Sequence, residues 1–200
     1  MKRVTVIVLL SIATLAAADK DKPRFNPGPA SSYASHQTLD KITIAAVPYL
    51  TDAETATAFG KLNPNKYGVL PVLVILENET GKALRLGLKA EFVTADNKHV
   101  NALSPDEVQH LGGVIKPPKI SGNTPLPLPF PTRVKKGPLN VFEIEGRAFA
   151  AKLLPIGERV FGFFYFNADH EPGSRLYLTG IQDAGTGQDY FYYEVPLQRQ

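Results

Sequence analysis

The chain has 200 residues, 44% of them hydrophobic, with 22 Lys and Arg against 19 Asp and Glu and a formal net charge of +3. It contains no cysteine, which excludes a disulfide framework, thiolate catalysis and cysteine-ligated zinc. So small a charge excess gives no sequence-independent attraction for nucleic acid, which needs clustered Lys and Arg to displace counterions.

Residues 1–18 have the layout of a secretory signal peptide: basic Lys2 and Arg3, an apolar stretch from Val4 to Leu15, and the small residues Ala16, Ala17 and Ala18 before Asp19. Cleavage is expected after Ala18, giving a secreted or periplasmic product. The apolar stretch falls short of the roughly 20 residues that a spanning helix needs. With no cysteine to accept lipid and no later apolar run of spanning length, neither a lipid anchor nor a membrane span is expected. Lys2 and Arg3 leave with the signal, so the mature chain is closer to neutral than the full one.

Residues 19–38 are rich in Pro, Ser, Ala and Gly and read as a flexible leader. A single domain is expected over 39–200. Ile42, Ile44 and Ala46 alternate along a strand with one buried face. Thr51 followed by Glu54 forms a capping box for a short helix ending near Gly60. Val69 to Leu76 is a nearly continuous apolar run, read as a buried strand with Pro71 near its start, and Gly81 serves the turn that follows. Ala83 to Leu88 and Lys89 to Thr94 follow as two segments of alternating character, ending at the turn Ala95-Asp96-Asn97-Lys98. Ser104 and Glu107 then cap a helix that opens on Pro105.

Lys116 to Pro138 holds seven prolines, including the alternation Pro125-Leu126-Pro127-Leu128-Pro129-Phe130-Pro131, and is read as an inserted arm of polyproline II character. Phe142 to Leu154 fits neither the helical nor the strand period cleanly; a helix over Gly146 to Leu154 is one option, ended by Pro155. Arg159 to Asn167, Arg175 to Ile181 and Tyr190 to Leu197 complete the strands. Seven or eight strands with irregular turn spacing and one to three short helices predict a mainly β fold, an antiparallel immunoglobulin-like sandwich with a Pro-rich insertion.

Two segments carry a resemblance. Val72 to Leu84 resembles an early strand pair of exported bacterial immunoglobulin-like domains, in which an apolar strand ends at Asn before a turn. Leu154 to Phe166 resembles the later Pro/Gly turn and Gly-aromatic strand of the same group, telokin-like extracellular domains being the nearest kind. Ile156 between Pro155 and Gly157, the Pro-rich insertion and the absence of Trp and Cys depart from the pattern. The resemblance implies an envelope binding or interaction module and no catalytic residues.

Direct reading of the chemistry-bearing residues agrees with a non-catalytic function. His36, His99, His110 and His170 form no helical zinc motif. Asp169, His170 and Glu171 read as a polar turn, and Asp183 to Asp189 as a hairpin turn without EF-hand spacing. Glu143 and Glu145, two apart, read as one solvated strand face. Asn78-Glu79-Thr80 is formally a glycosylation sequon and equally ordinary turn chemistry. No catalytic, metal or cofactor residue is assigned. The aromatic clusters Phe161 to Phe166 and Tyr190 to Tyr193 place rings on both faces of their strands, one set for the core and the other covered by the Pro-rich arm, by residues 143–154 or by a partner. Tyr165, Tyr190, Tyr192 and Phe130 are the candidate partner surface. The expected function is binding of a protein or envelope component through strand edges or an aromatic face. The alternatives are a carbohydrate-binding or carbohydrate-active protein, and a structural subunit of a surface assembly.

Overall fold

The computed structural model describes residues 25–111, 137–139 and 142–199. In chain order its first strands are β1 (His36–Leu39), β2 (Ile42–Pro48), β3 (Leu70–Asn78), β4 (Leu84–Val93) and β5 (His99–Asn101). They are followed by β6 (Leu153–Leu154), β7 (Arg159–Phe166), β8 (Arg175–Asp183) and β9 (Tyr193–Pro196). Helix α1 (Asp52–Phe59) lies between β2 and β3, and α2 (Pro105–Leu111) and α3 (Phe142–Arg147) lie between β5 and β6. The fold is mainly β, with two antiparallel sheets. One has four strands in the order β1-β2-β3-β7; the other has five, in the order β5-β4-β8-β9 with β6 also pairing β4.

The alternation in each strand explains which face it buries. Ile42, Ile44 and Ala46 of β2, Val72, Val74 and Leu76 of β3, and Phe166 of β7 meet Leu84, Leu86 and Phe92 of β4, Leu176 and Leu178 of β8, and Tyr193 and Val195 of β9 in one core between the sheets. The four-stranded sheet buries its other face as well. Ala45, Val47, Leu73, Ile75, Phe163 and Tyr165 form a second core with Ala58 and Phe59 of α1, Val108 of α2 and Ile144 of α3. That double burial is why β3 reads as an apolar run and not as an alternation.

Both predicted capping boxes form. Thr51 caps α1, with Glu54 reaching back to the Thr51 backbone, and Ser104 and Glu107 do the same for α2. Pro71 sits second in β3, and Gly81 takes φ +79° in the turn after it. The two segments read over 83–94 form one strand, β4 (Leu84–Val93), with its register to β8 shifted between Leu86 and Lys89.

Several expectations are corrected. The stretch read as a flexible leader is built into the fold from Phe25 onward. Ala30 is fully buried, its N–H donates to Glu77 Oε1 at 2.9 Å, and residues 36–39 are strand β1. Residues 19–24 of that stretch lie outside the described residues. A helix does form between the arm and Pro155, but over Phe142–Arg147; Leu153 and Leu154 instead pair with Arg85 and Leu84. Glu143 and Glu145 therefore stand on a helix, where a two-residue step places them on different faces. The closing strand is shorter than read, because Tyr190, Phe191 and Tyr192 precede β9.

Candidate functional site

The expected partner surface separates into parts with different fates. Tyr165 belongs to the second core: it is 1% exposed, and its hydroxyl donates to the Ile144 carbonyl at 2.7 Å. Burial raises its pKa well above the ordinary tyrosine value. It is removed from the candidate surface because Phe59 of α1 packs at 6.3 Å and α3 closes over the phenol. Phe130 lies outside the described residues. Tyr190 is half-buried against the core between the sheets, while Tyr192 is 52% exposed.

The cover over the four-stranded sheet comes from the chain itself. Phe25 packs against Phe163, Phe161 and Tyr49 at ring distances of 5.6, 6.0 and 6.3 Å, and the Arg147 guanidinium lies 5.1 Å from the Phe25 ring. Arg147 Nε also donates to the Ala58 carbonyl at the end of α1. Tyr49 in this layer has its pKa pushed up to about 12, chiefly by burial. Of the covers expected for the aromatic strand, residues 143–154 contribute through Ile144 and Ala148; Phe25 of the N-terminal segment adds a cover that the sequence reading did not foresee.

The outward face of the five-stranded sheet is different. Registers across it bring Asn101, Glu91, Tyr177 and Glu194 into one row. The next row holds His99, Val93, Arg175 and Pro196. Tyr192 stacks on Tyr177 with ring centres 5.1 Å apart and planes 29° apart, and His99 meets Tyr177 edge-on at 6.1 Å. Two polar contacts frame these rings: a hydrogen bond between His99 Nδ1 and Glu91 Oε2 at 2.6 Å, and an ion pair of Glu194 with Arg175 Nε at 2.7 Å. Phe191, 77% exposed, adjoins Tyr192 in sequence. This stripe of rings set among partnered polar groups is the candidate binding face.

Glu91 also lines a cleft of about 390 Å³ at the side of the molecule, where β4 and β7 approach one another. Two straps join the sheets there. In one, Leu103 N–H donates to the Tyr165 carbonyl and Ala102 N–H to the Ala90 carbonyl. In the other, Phe149 N–H donates to the Phe163 carbonyl, and Leu86 N–H to the Lys152 carbonyl. Phe149 of the second strap stacks on Phe164 at 5.4 Å, with Leu88, Lys89, Asn101 and Ser104 also lining the opening.

Sequence reasoning missed Tyr177 and His99. Tyr177 was discoverable, since Leu176 and Leu178 point inward and alternation sends Tyr177 outward. His99 needed the β4–β5 register, which no local pattern supplies. The other polar positions are structural. The Asn78 amide is buried in a turn and donates to the Lys82, Leu154 and Pro155 carbonyls, so the sequon nitrogen is fully engaged. His170 bonds the Leu197 carbonyl at 2.8 Å, and Asp183 closes its own turn by accepting from Gly185 and Thr186 N–H. Among the described residues no group of three or more His, Asp and Glu converges on a metal position, and no helix is long and apolar enough to cross a membrane. The chain matches no known family model, and no curated protein or solved structure matches it.

Proposed function

We propose that this chain is an exported, non-catalytic binding module of immunoglobulin-like architecture, released by cleavage after Ala18, which holds a protein or envelope component on the open face of its five-stranded sheet. The strand order supports the architecture. β2-β3-β7 and β4-β8-β9 follow the A-B-E and C-F-G orders of immunoglobulin sheets, with β5 beside β4 in the C′ position.

The observation that carries the functional reading is an asymmetry between the sheets. The four-stranded sheet buries its outward aromatics under the chain's own helices. The five-stranded sheet presents Tyr177, Tyr192 and His99 outward, with Tyr192 half-exposed and Phe191 largely so. Clustered exposed rings on a soluble surface favour an interaction role. The edges at β7 and β9 support binding less well. Leu103 and Phe149 occupy the free edge of β7, Gln37 accepts the outward Glu194 N–H of β9, and Pro196 brings no N–H at all. This weighs against a structural subunit that accepts a donated strand at β7 or β9.

Because the chain has no cysteine, one introduced thiol reports on one place. A photocrosslinker on Tyr192→Cys is expected to capture a component of an envelope fraction that the same probe on Ile156→Cys does not. Ile156 is equally exposed, at 59%, in the turn before β7. Equal capture from both positions, or capture only from Ile156→Cys, would remove the face from the proposal.

A further inference from the structure

We infer that the ligand of this face is an extended, uncharged glycan, an inference that rests on the open sheet face being the binding surface. The first ground is charge. The acids beside Tyr177 are each engaged within the face, Glu91 by a hydrogen bond with His99 and Glu194 by the Arg175 guanidinium. A charged partner would have to break these pairs or leave one of its own charges unmatched, which is costly at a desolvated contact. A polyhydroxylated chain faces no such conflict. Its hydroxyls can donate to the carboxylate oxygens and accept from guanidinium and imidazole N–H groups while these contacts remain in place. Lys89 stands beside Thr179 one row away, and a single solvated ammonium can serve a hydroxyl or ring oxygen as readily as an acid.

The second ground is the kind of aromatic surface. Tyr177 and Tyr192 pair an apolar ring with a hydroxyl, and rings of this kind take up the C–H face of a sugar while the phenol bonds its rim. A protein partner would be expected to meet an apolar centre with charges kept to the rim. Here Glu91, Arg175 and Glu194 are interleaved with the rings instead.

The third ground is extent. The row Asn101–Glu91–Tyr177–Glu194 crosses four strands, about 14 Å at the usual strand spacing. It is continuous through Glu91 with the side cleft, where Phe149 and Phe164 supply a second stacked pair. A track with aromatic pairs at two places suits a chain of sugars better than a single one.

The test is affinity electrophoresis and calorimetry of the full mature protein with chitohexaose and cellohexaose as neutral probes and polygalacturonate as the acidic one. Binding of a neutral hexasaccharide is expected, with weaker binding of the corresponding disaccharide. Tyr192→Ala, at an exposed position, should lower the affinity about five- to tenfold, as loss of one stacking ring does. Tyr177→Phe should retain most of the binding. A thermal melt confirms that each variant is folded. Neutral binding unaffected by Tyr192→Ala, or tighter binding of polygalacturonate, would overturn the inference. So would failure of both neutral probes to bind. If the crosslinker at position 192 still captures a protein in that last case, the open face remains the binding surface and only the ligand class is wrong.

Discussion

Asn78 and Leu154 lie 76 residues apart in sequence, yet the Asn78 side-chain amide donates to the Leu154 carbonyl at 3.1 Å. The same amide nitrogen reaches the Lys82 carbonyl at 2.7 Å and the Pro155 carbonyl at 3.0 Å, so its two protons are shared among three acceptors. Asn78 Oδ1 accepts from the backbone and hydroxyl of Thr80, and the Asn78 carbonyl accepts from Gly157 N–H at 2.8 Å. One buried side chain thus ties the turn after β3 to the turn before β7.

Asn78→Ala leaves several of those carbonyls without partners in a closed site. The expected loss is about 3 kcal/mol in urea unfolding, far above an average surface change. Asn78→Asp keeps the acceptor toward Thr80 but turns a donor toward three carbonyls into a negative charge, and should be at least as damaging. The same geometry forbids modification of the sequon: a chain glycosylated at Asn78 cannot form this turn. Folded protein secreted from a glycosylating host should carry its unmodified mass, and a glycan found on Asn78 of folded protein would contradict the network.

The Lys82–Asp183 pair next to this turn predicts a pH response. Lys82 Nζ lies 2.8 Å from Asp183 Oδ2, and the Asp183 side chain is almost wholly buried. The Lys82 contact, followed by N–H donation from Thr186 and Gly185, lowers the Asp183 pKa from its ordinary 3.8 to about 2, and the Lys82 pKa is raised in turn, chiefly by its hydrogen bond to Asp183. A carboxyl depressed on folding contributes stability above its unfolded pKa, and that contribution fades as pH falls from about 4 towards 2. Asp183→Asn retains an oxygen for the turn and loses the charge. The variant should melt below wild type at pH 7, and the two melting curves should converge as the pH approaches 2. A gap that stays constant down to pH 2 would mean the charge is not what matters at this position.

The elements legible in the sequence share a local cause. Thr51 with Glu54 and Ser104 with Glu107 are caps whose partners lie three residues away, and the Val69 to Leu76 run records burial on both faces of one strand. What was not legible depends on distant partners. Residues 36–38 look like leader because their pairing is supplied by Thr43 to Ala45 and their edge by Glu194. The contrast between Tyr165 and Tyr177 is instructive. Tyr165 lies in a strand whose neighbours on both faces are aromatic, and such a strand must be covered on both. Tyr177 alternates with Leu176 and Leu178 and shares its face with Arg175 and Thr179, the pattern of a sheet with one wet side. Pairing Tyr177 with His99 and Tyr192 required the registers of β4 with β5 and β8.

Phe25 tests whether the N-terminal segment is part of the fold. Its ring fills the space between Tyr49, Phe161 and Phe163 under the Arg147 guanidinium. For a half-buried ring in this setting Phe25→Ala should cost about 2 kcal/mol, or roughly 4–8 °C in Tm for a domain of this size. Phe25→Leu should recover part of the loss through burial without restoring the edge-on contacts. A melt of Phe25→Ala identical to wild type would mean that the second core closes without the segment.

Gly162 decides whether the second strap can lie against β7. A β-carbon at this position would stand 2.4 Å from Phe149 Cα and 2.8 Å from Phe149 N, so no side chain fits while the strap is seated. The obstacle is the Phe149 backbone, which cannot rotate away as a flexible side-chain end could. Gly162→Ala must therefore lift residues 148–150 or bend β7. Lifting strains the Phe149 N–H donation to the Phe163 carbonyl, now 2.9 Å, and parts the Phe149–Phe164 stack. Overpacking of this kind costs roughly 1–3 kcal/mol. It should also raise amide exchange at Phe149 and Leu86, the two strap contacts, well above exchange at β2 and β3, whose hydrogen bonds lie between the two cores. A variant as stable as wild type, with Phe149 still protected, would show that the strap does not need a glycine beneath it.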